Sequence, residues 1–498
     1  MIDLFLIFFA FRNGTCYIIP AFLMEVLLMK QELYYISPRV VETDSVQEIA
    51  IKGRFPHSDL RGFQGEFTVD SVRADGLFTN NEIPGFTSGN GYDMGRPDYE
   101  EIKDVTFDAD GVLRFRYPFA GEGENYFRVR IADRVLFVFG IFSLRKEYLA
   151  LRPFKGDMHL HSGFSACCGE KNYLSPEYYA AANRAAGLDF MGLSDHKQHF
   201  PSRKAQDFVE QCPTSFVAYL SEEVHLPDLH TIHNLNFGGS KPISCRLFKG
   251  QKEYDTIYAH YMSKVPAYPD PYLRHLAANY HVIHDWVHEA GGINVFCHPY
   301  WRPHNRLFLP AVIRDYALEH NLYDCIELYN DEWCVNEEAQ GLYLELCIKA
   351  GKQIPVVGNT DSHSFTSIAK NYTVIFAAQN TLSALGDSLA QNRNVAVTTL
   401  GCTLPHATGN WLWVSYFHFL RKNYFDRHDD LCRKEGDLLY KTLETGEPDL
   451  QYDSYLRRPY KEKIDGTEEM KHLTFTPDQA AFAALRREQD KLEKEFWK

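Results

Sequence analysis

The sequence predicts an α/β chain in two main parts: a small all-β, sandwich-like domain followed by a β/α barrel-like domain. Three observations predict it. Between Glu32 and Leu151 the hydrophobic period is near two, and no long helical pattern interrupts it. From Lys155 the pattern changes to helix, glycine, strand, and this unit occurs three times. Each of those strands runs into a cluster of His, Asp or Glu, and a β/α fold carries its chemistry at the C-terminal ends of its strands.

In the first part, Val46–Ile51, Gly65–Val72, Val105–Phe107, Val112–Tyr117, Tyr126–Ile131 and Val135–Ile141 read as strands. Asp108-Ala109-Asp110-Gly111 between two of them is a hairpin turn signal. The Gly-, Pro- and Asn-rich stretch Asn80–Asp104 reads as an excursion from this domain, which holds no catalytic cluster and suits docking or positioning. In the second part, Ser175 as N-cap and Pro176 at the first position open a helix to Ala186, and Gly187 closes it. Strand Phe190–Leu193 follows and runs into Asp195-His196. Helix His281–Ala290 ends at Gly291-Gly292, and strand Ile293–Cys297 delivers His298. Helix Glu337–Ala350 ends at Gly351, and strand Ile354–Val357 delivers Asp361 and His363. The predicted divisions are residues 30–151 for the β domain and 152–400 for the hydrolase domain, with a helical extension over 401–498. A tyrosine-rich insertion near 238–280 reads either as a helix and loop filling one side of the barrel or as a lid. Within the extension, Leu412–Leu420 reads as buried and Gln479–Phe496 as a final charged helix.

Residues 1–29 carry two apolar runs, Leu4–Phe11 and Tyr17–Met29, each short of a spanning helix. They read either as an anchor or as an extension outside the domains, and no firm membrane partner is expected. The formal net charge of −14 disfavours long nucleic acid as a partner, while a small phosphorylated substrate remains compatible because bound metal outweighs the global field locally. An odd count of 11 cysteines without repeating spacing suits free thiols and a cytoplasmic location.

The clusters are Asp157-Met158-His159-Leu160-His161-Ser162, Ser194-Asp195-His196, Glu222-Glu223-Val224, Ile232-His233-Asn234, Cys297-His298-Pro299 and Asn359-Thr360-Asp361-Ser362-His363. His159 and His161, two apart on an extended segment, share one face of a strand. Imidazoles and carboxylates delivered to one place by separate strands build a multi-metal hydrolytic centre. Such a centre needs no Ser or Cys nucleophile, because a metal-bridging hydroxide attacks the ester. Asp195, His196 and His363 are candidate catalytic groups for the leaving oxygen. Lys197 and Arg203 follow one ligand strand, and Arg302, His304 and Arg306 follow another, where loops would clamp a phosphate. Glu327 and Asn330 lie at a strand end that would line the cleft, Asn359 beside the last motif would orient a ligand or water, and Tyr300 and Trp301 form a stacking wall or cap the barrel.

In this order the motifs resemble those of the polymerase-and-histidinol-phosphatase (PHP) superfamily of metal-dependent phosphoesterases, over about Lys155 to Val397. The resemblance implies a distorted (β/α)7 barrel holding two or three divalent ions, Zn, Mn or Fe. By motif match His159, His161, Glu223 and Asp361 would hold one ion. His233 and His298 would hold a second ion sharing Glu223, and His196 and His363 would belong to a third. Glu223 is preferred to Glu222 because the family's Glu precedes a β-branched residue. Where the family has Asp or His after its first motif, this chain has Ala166 and Cys167. Cys167 is then either a thiolate ligand, favouring zinc, or an ordinary thiol beside a weak third site, and Glu170 could also reach in. The implied activity is hydrolysis of a small or short-chain phosphate ester. Hydrolysis of an amide or lactone, or a non-catalytic metal-binding scaffold, are the alternatives.

Overall fold

The computed structural model of the chain describes residues 33–73 and 100–448, apart from 133, 166, 169–173, 228–231, 303–307, 331–332 and 403, together with 11–12 and 15–16. Most of residues 1–29, most of the 80–104 excursion and the expected helix Gln479–Phe496 lie outside the described residues. The chain divides between Ala150 and Leu151 into two compact units.

The first unit is built from β1 (Tyr34–Ser37), β2 (Val40–Glu42), β3 (Ser45–Gly53), β4 (Phe67–Arg73), β5 (Glu100–Glu101), β6 (Thr106–Phe107), β7 (Val112–Phe119), β8 (Gly123–Ile131) and β9 (Arg134–Leu144). One sheet orders its strands β2-β9-β8-β4-β5 and the other β1-β3-β7-β6. The period-two alternation turns Ile49, Ile51 and Phe115 of one sheet and Phe127, Val129, Phe137 and Phe139 of the other into one shared core. At the β6–β7 hairpin the Asp108 carboxylate accepts from the backbone N–H of Asp110 and Val112, and Gly111 takes φ +77°.

The second unit opens with β10 (Arg152–Leu160), α1 (Pro176–Ala185), β11 (Phe190–Leu193), α2 (Phe200–Glu210) and β12 (Val217–Tyr219). β13 (Glu223–Val224), β14 (Asn234–Phe237), α3 (Lys252–Lys264), α4 (Pro271–Glu289) and β15 (Ile293–Phe296) follow. Then come α5 (Ala311–Glu319), β16 (Cys325–Tyr329), α6 (Trp333–Ala350), β17 (Val356–Gly358) and β18 (Asn371–Ala377). α7 (Leu382–Ala390), β19 (Asn394–Thr398), β20 (His406–Gly409), α8 (Trp411–Asn423) and α9 (Phe425–Thr445) complete it. The Ser175 side chain caps α1 by accepting from Tyr178 N–H, with Pro176 in the first turn. In the tyrosine-rich segment Tyr254 is buried, and Tyr258, Tyr261, Tyr268 and Tyr272 pack against the main core of the unit. No helix among the described residues is long and apolar enough to cross a membrane.

The strands do not form the expected (β/α)7 barrel. They form two open sheets, ordered β12-β11-β10-β18-β19-β20 and β13-β14-β15-β16-β17. A closed barrel requires a continuous ladder with a consistent stagger. Here β12 and β13 are three and two residues long and lie in different sheets. β14 runs antiparallel to both neighbours, and β18 and β19 are antiparallel to theirs. The helix–glycine–strand pattern is local and holds for β11, β15 and β17, but it does not report strand direction between the repeats. Two isolated bridges, Leu160 to Ser362 and His196 to Glu223, link residues of the two halves where the polar clusters stand.

Behind β10 and β11, α9 is held by buried ion pairs. The Arg184 guanidinium contacts Glu435 Oε2 at 3.0 Å and Asp189 Oδ1 at 2.9 Å. His428 Nε2 stands 2.9 Å from Asp189, its Nδ1 2.8 Å from Asp429, and Lys155 Nζ is 2.7 Å from Asp429. Glu435 also accepts from Thr214 Oγ1 and Ser215 N–H. Gly187, at φ +96°, lets the chain pass here, since a Cβ would meet the Asp429 carboxylate at 2.9 Å.

Removing one member of such a network strands its buried partner. Glu435→Ala is expected to lower the unfolding free energy by about 3 to 5 kcal/mol in urea titrations, because Arg184 keeps its charge and loses an anion. Burial alone would lower the His428 pKa, but Asp189, aided by Asp429, holds it well above the ordinary value. A raised folded pKa gives stability that is complete below the unfolded value of about 6.5 and is lost as pH rises through the folded value. His428→Asn should therefore cost more stability at pH 6 than at pH 10, measured by thermal unfolding at both.

Candidate metal centre

The polar clusters meet at one end of the two sheets. His159 lies near the end of β10 and His161 just beyond it on the same face, while Leu160, the last residue of the strand, is buried in the core on the other. β11 leads to Asp195-His196, β15 to His298, and β17 to Asp361 and His363. His233 precedes β14 rather than following a strand. Because β14 runs antiparallel to β15, its start lies at the end where β15 delivers His298.

Glu223 lies at the centre. Its Oε2 is 2.9 Å from His196 Nε2, 3.4 Å from His161 Nε2 and 3.5 Å from the Nε2 atoms of both His159 and His225. Its Oε1 is 2.7 Å from His233 Nδ1 and 3.6 Å from His298 Nε2. Asp361 Oδ1 stands 3.2 Å from His159 Nε2 and 3.0 Å from His161 Nε2, and Asp361 Oδ2 is 3.9 Å from His298 Nε2. The His363 ring stacks on His161 with centroids 4.4 Å apart, its Nδ1 2.7 Å from the Asp361 carbonyl. Burial would raise the Glu223 carboxyl, but His233, His196, His225 and His159 hold it well below the usual range. Burial pushes His161 down to about 4, which leaves a neutral imidazole with a lone pair.

These residues fit divalent ions. Both Glu223 oxygens and His159 Nε2 are buried without a hydrogen bond of good geometry, although each faces several polar atoms. A buried carboxylate in that state is costly unless a cation completes it. His159, His161 and Asp361 form one group able to hold an ion, and His161, Cys167, His196 and His363 form another. In both, the candidate ligand atoms lie within 4.8 Å of one another. Cys167 is exposed at this second group, 3.1 Å from Ser165 Oγ. Its neighbour Cys168, with His196 and His363, holds its thiol well below the ordinary value, the condition for a thiolate ligand.

The supporting residues are equally specific. His159 Nδ1 meets Glu327 Oε2 at 2.8 Å, and Asn359 donates to the same oxygen at 3.0 Å, which fixes the ring with Nε2 inward. Asp157 accepts from the backbone N–H of His159 and Thr360. Asp195 does not join the imidazoles; it accepts from Ser162 N–H at 2.8 Å and Ser162 Oγ at 2.7 Å. Glu222 turns away from the centre and accepts from Ile243 N–H and Ser244 N–H. Lys197, His298 and Asp361 take positive φ of +59°, +20° and +48°, unusual conformations clustered at the site.

Among the expected phosphate contacts, Lys197 directly follows His196, and its N–H donates to the Glu223 carbonyl at 2.9 Å. Arg203 is exposed and bonds to Gln206, and Arg302 is committed to Glu338 at 2.6 Å. His304, Arg306 and Glu170 lie outside the described residues. Tyr300 is buried, with the Arg314 guanidinium 5.1 Å from its ring centre, whereas Trp301 packs on Phe308, His233 and His298. His225 was not among the sequence candidates. Its signal is the Glu-x-His spacing at 223 and 225, the same parity as His159 and His161.

No protein-family model matches the chain, and no curated protein sequence does either. Among solved structures, it is similar to a two-domain protein containing a predicted PHP-like metal-dependent phosphoesterase from Bacteroides vulgatus, at 14% identity and TM-score 0.34. That match covers 50% of this chain and 66% of the other, so the chain spans slightly under two thirds of that relative. A protein assigned as a metal-dependent phosphoesterase from Bifidobacterium adolescentis matches at 17% identity and TM-score 0.28, covering 42% of this chain and 87% of that one. The lesion-specific endonuclease EndoQ from Pyrococcus furiosus matches at 14% identity and TM-score 0.28, covering 48% of this chain and 56% of that one.

The two adjacent glutamates should separate cleanly. Glu223→Gln is expected to reduce metal equivalents, measured by elemental analysis after metal-replete purification, while the metal-free protein keeps its melting temperature. Glu222→Ala should do the reverse. It leaves two buried N–H groups without an acceptor, at about 1 to 3 kcal/mol of stability, and spares metal content.

Proposed function

We propose that the chain is a PHP-type metal-dependent phosphoesterase acting on a small or short-chain phosphate ester. The observation that carries this reading is the buried Glu223 carboxylate, surrounded by the nitrogens of six histidines with Asp361 beside them. His159, His161, Glu223 and Asp361 would hold one ion, Glu223, His233 and His298 a second, and His196 and His363 with Cys167 a third. When bound, such ions neutralise phosphoryl oxygens and activate water.

The chain's own residues supply position and proton transfer. Glu327 and Asn359 lock the His159 ring, and Asp195 anchors Ser162 beside His161. Where the third ion is not bound, His196 and His363, with side chains 19% and 39% exposed, would be suited to hold or hand over a proton at the leaving oxygen. Lys197 is the cation nearest in sequence to a ligand and would steady a phosphoryl oxygen, with Arg203, Arg302, His304 and Arg306 as outer contacts. Trp301 and Phe308 offer an aromatic wall on the His233–His298 side.

A panel of phosphomonoesters, phosphodiesters, amides and lactones tested against Mn- and Zn-loaded protein decides the reaction. Turnover of a phosphate ester that disappears with chelator and returns with metal supports the proposal; turnover of amides or lactones alone replaces it. On an accepted ester, Lys197→Ala should lower kcat/KM by about 10-fold, or about 1.4 kcal/mol. Arg302→Ala should have a smaller effect because its guanidinium is already engaged by Glu338. Cys167→Ser should remove part of one metal equivalent and leave the ions around Glu223 and Asp361 in place.

A further inference from the structure

We infer that His225 is a further metal ligand, holding a divalent ion together with His196 and Glu223; the inference rests on the metal-centre reading above. Glu223 opens β13 and His225 directly follows the strand, two residues on, so both face the centre while Val224 turns into the core. The His225 ring is fully buried and stands between His196 and His233, with centroid distances of 4.4 Å and 4.1 Å. Its backbone N–H is held by Ser244 Oγ at 3.4 Å, and Ser244 N–H in turn donates to Glu222.

The spacing of His225 is that of a co-ligand, while His196 stands at hydrogen-bond distance from the same oxygen. His225 Nε2 lies 3.5 Å from Glu223 Oε2, too long for a good N–H···O bond. Two ligands at about 2.0 to 2.1 Å from one tetrahedral ion stand about 3.4 Å apart. His196 Nε2 reaches the same oxygen at 2.9 Å, and all three ligand atoms lie within 4.8 Å of one another. Two imidazoles and one carboxylate suit a borderline transition ion such as Zn(II) or Co(II) better than Mg(II) or Ca(II). In this arrangement His196 takes its ion with His225 and Glu223 rather than with Cys167 and His363, and that ion would be seated directly on the central carboxylate.

The test is His225→Phe, which keeps a buried ring and removes the nitrogen, beside His225→Asp, which restores a ligand atom. Metal content by elemental analysis and Co(II) affinity by visible titration are read on all three proteins, with the melting temperature of each metal-free form as the folding control. The expected result is a loss of one equivalent, or a 10- to 100-fold weaker Co(II) site, in His225→Phe and partial recovery in His225→Asp. Crystals of the Zn-loaded wild-type protein should also show an anomalous peak within about 2.2 Å of His225 Nε2. If wild type takes up ions normally, yet His225→Phe binds them equally and the anomalous map places no ion at that nitrogen, this inference is overturned and the metal centre stands. If wild type takes up no ion at all, the metal-centre reading falls with it. Should His225→Phe fail to fold, the anomalous map alone decides.

Discussion

The second unit is organised around one buried carboxylate. Glu223 is 1% exposed, and its two oxygens face imidazole nitrogens from several separate stretches of chain. A buried anion of this kind must be compensated or it costs several kcal/mol. The surroundings are built to hold side chains at fixed orientation around this point. Glu327 and Asn359 fix His159, the Asp361 carbonyl fixes His363, and the strand alternation turns Leu160 and Val224 into the core so that their neighbours face inward.

Convergence here does not require a closed barrel. What the site needs is that several strand ends lie at one place, and two open sheets achieve this with strands of both directions. His233 illustrates the point. It stands at the start of β14, yet β14 is antiparallel, so it joins His298 at the end of β15. The isolated bridges Leu160–Ser362 and His196–Glu223 fall beside ligands from four clusters. The positive φ values of His298 and Asp361 mark where the backbone departs from the strand to turn those side chains.

The legible parts of the sequence were those written in local periodicity. Strands Phe190–Leu193 and Cys325–Tyr329 and the start of the helix at Pro176 coincide with observed elements, because alternation, capping and closing glycines act within a few residues. The polar clusters that converge were legible because polar residues directly after apolar runs have few structural explanations. Strand direction was not legible, and with it the sheet topology, because pairing partners are set by residues far apart in sequence. Helix α4 begins at Pro271, ten residues before the predicted start, since Leu276, Ala277 and Tyr280 pack into a core that the local pattern does not reveal. His225 escaped notice because a single histidine beyond a glutamate gains meaning only when His196 and His233 flank it. The pairing of Arg302 with Glu338 was not legible either, because the two stand thirty-six residues apart.

A second buried polar cluster provides the internal control for the metal reading. Asp189, His428 and Cys432 also lie close enough to hold an ion. There, however, His428 Nε2 meets Asp189 and Nδ1 meets Asp429, so both nitrogens serve as donors to carboxylates and neither offers a lone pair. Lys155 and Arg184 balance Asp429, Asp189 and Glu435, and the cluster closes without any added cation. The two clusters share β10: Lys155 supports the first, and four residues later His159 begins the second. One is complete from the chain's own charges, while in the other the Glu223 oxygens and His159 Nε2 are buried with no hydrogen bond of good geometry. A chain that satisfies one buried ionic cluster so fully does not leave its neighbour incomplete through poor packing. The incomplete one has the donor types, the inward orientation and the spacing that divalent ions require.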